Sequence, residues 1–180
     1  MISPFRGVAF AAATLLSACA TNIHPQNETI TRSKVPFSKF SAVAMRPLAV
    51  ERSEGDSGDR AAIARVDGQL RSCMQGVFRN LRDSAGGEQP SAGSLVIEPS
   101  IVDMKKVNAA ERIFLGTMVG SSAMLLKVRF VDSASNDVLA EPVFYAKGSA
   151  WNGAWTFGAT DNAMLTRIVD DACRYARSNY

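Results

Sequence analysis

Met124, Leu126, Val128 and Phe130 alternate with Leu125, Lys127, Arg129 and Val131. A period of two with one wholly apolar side and one partly charged side is a β-strand that needs cover on one face. Two segments can supply that cover. Ile63, Val66, Leu70, Cys73, Met74, Val77 and Leu81 recur at spacings of three and four, an amphipathic helix ended by Gly86 and Gly87. A second helix starts near Thr160 or Asp161 as cap and turns Leu165, Ile168, Ala172 and Tyr175 or Ala176 inward.

Three further runs read as strands. Phe40 to Val50 is β-rich, and its Pro47 predicts an edge position, a bulge or the strand end. Leu95 to Met104 places Leu95, Ile97 and Ile101 on one face. Asp132 to Asp137 has the composition of a hairpin turn leading into a strand over Val138 to Lys147. The order β, α, β, β, β, α predicts an α+β fold. We expect a two-layer sandwich in which an antiparallel or mixed sheet of about four strands carries both helices on one face.

Residues 1–18 have the three-part form of an export signal: a short positive start, an apolar stretch from Gly7 to Leu16, then small residues. Leu16, Ser17, Ala18 and Cys19 resemble the lipobox of bacterial lipoproteins. The resemblance implies that Cys19 is lipidated, palmitate included, and becomes the first residue of the mature chain. Ala20 stands where an aspartate would imply inner-membrane retention. The expected location is therefore the outer membrane, periplasmic face, with surface exposure left open. Two or three acyl chains hold a protein to a bilayer far more firmly than one.

Residues 19–39 read as a lipidated start and a flexible tether, polar, with Pro25 and Pro36 and no lasting period. A coil of that length spans about 25 Å and at most about 70 Å. Residues 40–180 read as a single periplasmic domain. The 47% apolar content is too high for a disordered chain, and no apolar run reaches the roughly 18 residues of a spanning helix. A net charge of +3 from 20 basic and 17 acidic residues lacks the concentrated basic surface of a nucleic-acid binder.

Asp67-Gly-Gln-Leu70, Val128-Arg-Phe-Val-Asp132 with Val138-Leu139, and Trp155-Thr-Phe-Gly-Ala-Thr-Asp161 resemble a family of small proteobacterial lipoproteins carrying a domain of unknown function. The resemblance covers most of the mature domain and implies no activity. More loosely, a strand opening onto a helix is similar to the α/β modules of envelope accessory lipoproteins that aid secretion or surface assembly.

The only histidine, His24, falls in the tether. The domain therefore lacks a histidine base for a serine or cysteine nucleophile, and no histidine-based metal site is expected. Glu98, Asp103, Asp132, Asp161, Asp170 and Asp171 remain as carboxylates for glycoside chemistry if two of them face each other across a cleft. We expect a protein that is not an enzyme, with no cofactor beyond the covalent lipid. Its partners are expected to be the membrane, through the anchor, and an envelope protein or glycan. A carboxylate-dependent envelope glycan hydrolase is the alternative.

Three features carry two readings each. Trp151, Trp155 and Phe157 share a glycine-bearing loop before the last helix, where they either anchor a partner or plug the end of the sandwich. Cys73 and Cys173, one on each helix, either form a disulfide in an oxidising compartment or remain two reduced core residues. Gly116 and Gly120, with the small-xxx-small spacing of packed membrane helices, belong either to a turn or to a loop that dips into a bilayer.

Overall fold

A computed structural model describes residues 30–51, 57–84, 91–105, 122–148 and 159–180. In chain order these form β1 (Val43–Met45), β2 (Ala49–Val50), α1 (Ser57–Val77), β3 (Leu81–Asp83), β4 (Leu95–Lys105), β5 (Ala123–Asp132), β6 (Val138–Ala140), β7 (Val143–Lys147) and α2 (Ala159–Ser178). One 3-10 turn, Phe37–Lys39, precedes β1.

The seven described strands make one mixed sheet in the order β3-β1-β4-β5-β6, with β2 also on β4 and β7 also on β5. The sheet is parallel where β1 meets β3 and β4 and where β2 meets β4, and antiparallel along β4-β5 and beyond. β1 and β3 are neighbours and parallel, so the chain between them must cross over a sheet face, and α1 is that crossover. The fold is thus an α+β sandwich with a mixed sheet and more strands than the four expected. Two extra strands arise where prolines interrupt expected ones. The stretch Arg46 to Leu48 around Pro47 separates β1 from β2, and Glu141 with Pro142 separates β6 from β7. A ring without an N–H removes one ladder donor, so the ladder breaks there. β1 itself is not an edge strand.

The third extra strand, β3, takes Leu81 away from the helix to which its spacing assigned it. α1 ends at Val77, and Leu81 pairs with Val43 in the sheet. The β5-β6 turn lies where composition placed it. Asp132 Oδ1 accepts from the Ala134 N–H at 2.8 Å, and Asn136 takes the left-handed conformation with φ 59°.

One sheet face meets both helices. Met45, Leu95, Ile97, Ile101, Met124, Leu126, Val128 and Phe130 are buried against Val66, Leu70 and Met74 of α1 and Leu165, Ile168, Ala172 and Ala176 of α2. A register shift between Ile101 and Asp103 gives β4 an extra residue opposite Leu125. Met104 nevertheless returns to the helix-facing core, while Val102 joins Ala123, Leu125, Val143 and Tyr145 on the opposite face.

The last part of the expected tether is folded. Phe37 is fully buried, with its ring between Phe130 and Phe78. Four hydrogen bonds hold the approach to it. The Ser33 N–H donates to Asn179 Oδ1 (2.8 Å), the Lys34 N–H to the Leu139 carbonyl (3.1 Å), the Phe37 N–H to the Asn179 carbonyl (2.7 Å), and the Tyr175 hydroxyl to the Thr31 carbonyl (2.8 Å). Residues from about Thr31 onward therefore belong to the domain as a strap, and the boundary at residue 40 moves accordingly.

Candidate functional site

Cys73 and Cys173 are joined as a disulfide, their Cα atoms 6.2 Å apart. Cys73 lies on α1 and Cys173 on α2, so the bond staples the crossover helix to the C-terminal helix above the sheet. That separation falls in the ordinary range for a disulfide. Of the other named site residues, Cys19 and the trio Trp151, Trp155 and Phe157 lie outside the described residues, as do His24, Gly116 and Gly120.

Of the carboxylates named above, Glu98, Asp132, Asp170 and Asp171 lie on separate parts of the fold, the last two adjacent on α2. Glu98 points to the sheet face away from the helices, where its two oxygens meet Arg46 Nε (3.2 Å) and Arg129 Nη1 (2.9 Å). Arg129 in turn reaches Glu141 (3.2 Å), making a row of alternating sign across β4 and β5. Beside it Lys127 pairs with Glu51 (3.0 Å), which also accepts from the Ser100 hydroxyl. Asp132 is occupied at its turn, Asp170 is exposed on α2, and Asp171 pairs with Arg174 one turn on. Among the described residues no three His, Cys, Asp or Glu side chains gather as a metal site, and no described helix is long and apolar enough to cross a membrane.

A second ionic cluster ties α1 to the sheet edge. Arg71 Nε donates to Asp67 Oδ2 at 2.9 Å, and Arg71 Nη1 also pairs with Asp83 of β3. The bond to Asp67 and the field of both carboxylates outweigh partial burial and hold the guanidinium pKa above its ordinary value. The Tyr175 hydroxyl, between strap and sheet, is pushed up by burial.

Next to this cluster a cleft of about 510 Å³ opens along β1 and β3, lined by Ser41, Asn80, Arg82, Ser84, Ser91 and Ser94 among others. Much of its polar lining is engaged in holding the loop before β4. Ser94 and Ser133 hydroxyls both donate to the Ser91 carbonyl (2.7 and 2.9 Å), and Asn80 Nδ2 donates to the Ser41 carbonyl (3.3 Å). Arg82 supplies the exposed cationic group. Nothing in the sequence pattern pointed to this cleft, because its lining comes from three separated segments of short polar residues.

The fold has a solved counterpart. A PelC dodecamer from Paraburkholderia phytofirmans superposes with a TM-score of 0.53 at 12% identity, covering 83% of this chain and 97% of that one. A Xanthomonas campestris protein assigned to another domain family of unknown function gives 0.48 at 10% identity (83% and 94% covered), and a lipoprotein from Neisseria meningitidis 0.37 at 13% (72% and 97%). Comparison with curated protein sequences gives no significant match. The family described as "Domain of unknown function (DUF4410)" matches residues 50–173, which span all of the sheet from β4 onward, both cysteines of the staple and α1. The chain belongs to this family, DUF4410.

Proposed function

We propose that this protein is a lipid-anchored accessory of the bacterial envelope, acylated on Cys19, held at the periplasmic face of the outer membrane, and acting by binding rather than by catalysis. The observation that carries the reading is the division of the three cysteines. Two of them close on each other within the domain, and the third ends the lipobox-like Leu16-Ser17-Ala18-Cys19. A structural disulfide suits an oxidising compartment, which export supplies. Trp151, Trp155 and Phe157 are the proposed contact with an envelope protein or glycan. The PelC neighbour is described as a dodecamer, and light scattering on this protein tests whether the likeness in fold extends to assembly.

Metabolic labelling with a palmitate analogue tests the anchor. Label is expected on the wild-type chain and absent from Cys19→Ser, which should also leave the membrane fraction in high salt. An unlabelled wild type, or a variant that stays membrane-bound in high salt, overturns the reading. Crosslinking in cells from positions 151 and 155 tests the contact, and capture of no envelope component there removes it.

A further inference from the structure

The two helices run in the same direction: Gln69 Nε2 reaches Thr166 Oγ1, Cys73 is bonded to Cys173, and the Phe78 ring meets that of Tyr180. Their C-terminal ends therefore meet at one end of the domain, and the strap from Thr31 to Phe37 is laid over that end. Five basic side chains converge there. Arg32 and Lys34 lie on the strap, Lys39 in the 3-10 turn that ends it, Arg79 just past α1 and Arg177 in the last turn of α2, and all five are exposed. Among the described residues none of the five has an ion-pair partner, which is equally true of Arg60, Arg65, Arg82, Lys147 and Arg167, so it is their gathering on one end that sets the five apart. Lys34 Nζ donates to the Val138 carbonyl, a neutral partner, so its charge is not cancelled. Acidic side chains beside the patch are Asp137, next to Val138, and Asp83 of β3, which is already paired with Arg71. The exposed carbonyl ends of both helices favour cations nearby, which gives Arg79 and Arg177 a structural reason. It gives none for the three bases on the strap and the turn that ends it. Ile30 and Tyr180, two of the three exposed large apolar residues among those described, occupy the same end, at 49% and 54% exposure.

We infer that this end of the domain is a docking surface for an anionic phospholipid bilayer. Clustered Lys and Arg beside an amphipathic tyrosine form the combination that membrane interfaces attract. The attraction acts only within about 8 Å at physiological salt, so the surface must be held close to the bilayer. The route of the chain does this. Ten residues lie between Cys19 and Ile30, a reach of at most about 40 Å over the eleven Cα-to-Cα steps, and they join the domain at the basic end. The inference rests on the lipid anchor for this proximity but not for the surface itself. The domain then lies with its strap and both helix C-terminal ends toward the lipid, and with the opposite end of α1, about 30 Å away along its axis, toward the periplasm.

The mature chain from residue 19 carrying Cys19→Ser, which bears neither lipid nor the apolar export signal, tests the surface in vesicle co-sedimentation. It is expected to bind vesicles of phosphatidylethanolamine with phosphatidylglycerol at low salt, to ignore phosphatidylcholine vesicles, and to detach at about 1 M salt, where the screening length is about 3 Å. Adding Arg32→Glu, Lys34→Glu and Lys39→Glu should weaken binding at least about ten-fold. Arg60→Glu, Arg65→Glu and Lys147→Glu, the same charge change on exposed residues toward the other end of the domain, should keep binding within about two-fold, since those sites lie beyond the screening length. Arg79→Gln with Arg177→Gln, which leaves the strap untouched, should also weaken binding and covers the case of a strap variant that fails to fold. No binding to the anionic vesicles, equal binding to the neutral ones, or equal loss in the control set overturns the inference. Palmitate labelling of wild-type Cys19 is read independently, so failure of the anchor and failure of the surface are told apart.

Discussion

The Phe37 ring stacks on Phe130 with centroids 4.5 Å apart and 22° between planes. Phe130 sits in the middle of the sheet's helix-facing side, so a residue from the polar N-terminal stretch completes the core of β5. The strap is consequently part of the domain's stability.

Phe37→Ala should therefore cost about 3–5 kcal/mol, the range for emptying a buried aromatic site, while Phe37→Leu should cost less. Urea unfolding with an unchanged slope measures it. A loss below about 1 kcal/mol would mean that the strap is not packed as described.

Removing the staple should be similarly severe. The disulfide bridges a sequence separation of 100 residues, for which the chain-entropy treatment gives about 4.7 kcal/mol, less any native strain. Cys73→Ser, Cys173→Ser and the double variant should fall to nearly the same stability, and reductant should affect only the wild type. Intact mass must also rise by two hydrogens on reduction, and an unchanged mass rejects the bond.

Alkaline pH should weaken the fold through Tyr175. Its pKa is raised by burial above the ordinary value near 10, so above that pH the folded state holds a proton that the unfolded state has lost. Stability is then fully present below about pH 10 and falls as pH rises toward the folded value. In Tyr175→Phe the decline over that window should flatten, although the variant starts lower for want of the hydrogen bond to Thr31. An identical slope in both proteins defeats this account.

The ion-pair row on the open face should matter little. Glu98 meets Arg46 and Arg129, whose side chains are 42% and 39% exposed, and exposed pairs contribute at most about 1 kcal/mol. Glu98→Gln should thus shift the unfolding midpoint slightly and reduce its dependence on salt. A loss of several kcal/mol would show that the row carries structural load.

Periodicity made the long elements legible. Met124 to Val131 sits inside β5, Leu95 to Met104 inside β4, and the inward residues Leu165, Ile168, Ala172 and Ala176 are the buried stripe of α2. Short pieces escaped because periods need length. β3 has three residues, and Leu81 continues the helical spacing as well as it starts a strand. Pro142 was a readable signal of the same kind as Pro47, since each marks a broken ladder. Phe37 offered no pattern at all, as a lone aromatic finds its place only through partners 41 and 93 residues away. The cysteine pairing was half legible. Composition allowed it, but only the parallel course of two helices brings residues 73 and 173 together.

The position of the staple in the chain also sets an order of assembly. Cys173 follows every described strand, so in a chain delivered N-terminus first its partner must wait until the whole sheet has emerged. The bond thus locks a topology that pairing and packing have already chosen. A misregistered sheet that kept α2 from α1 would leave both thiols open, so thiol closure also reports correct assembly.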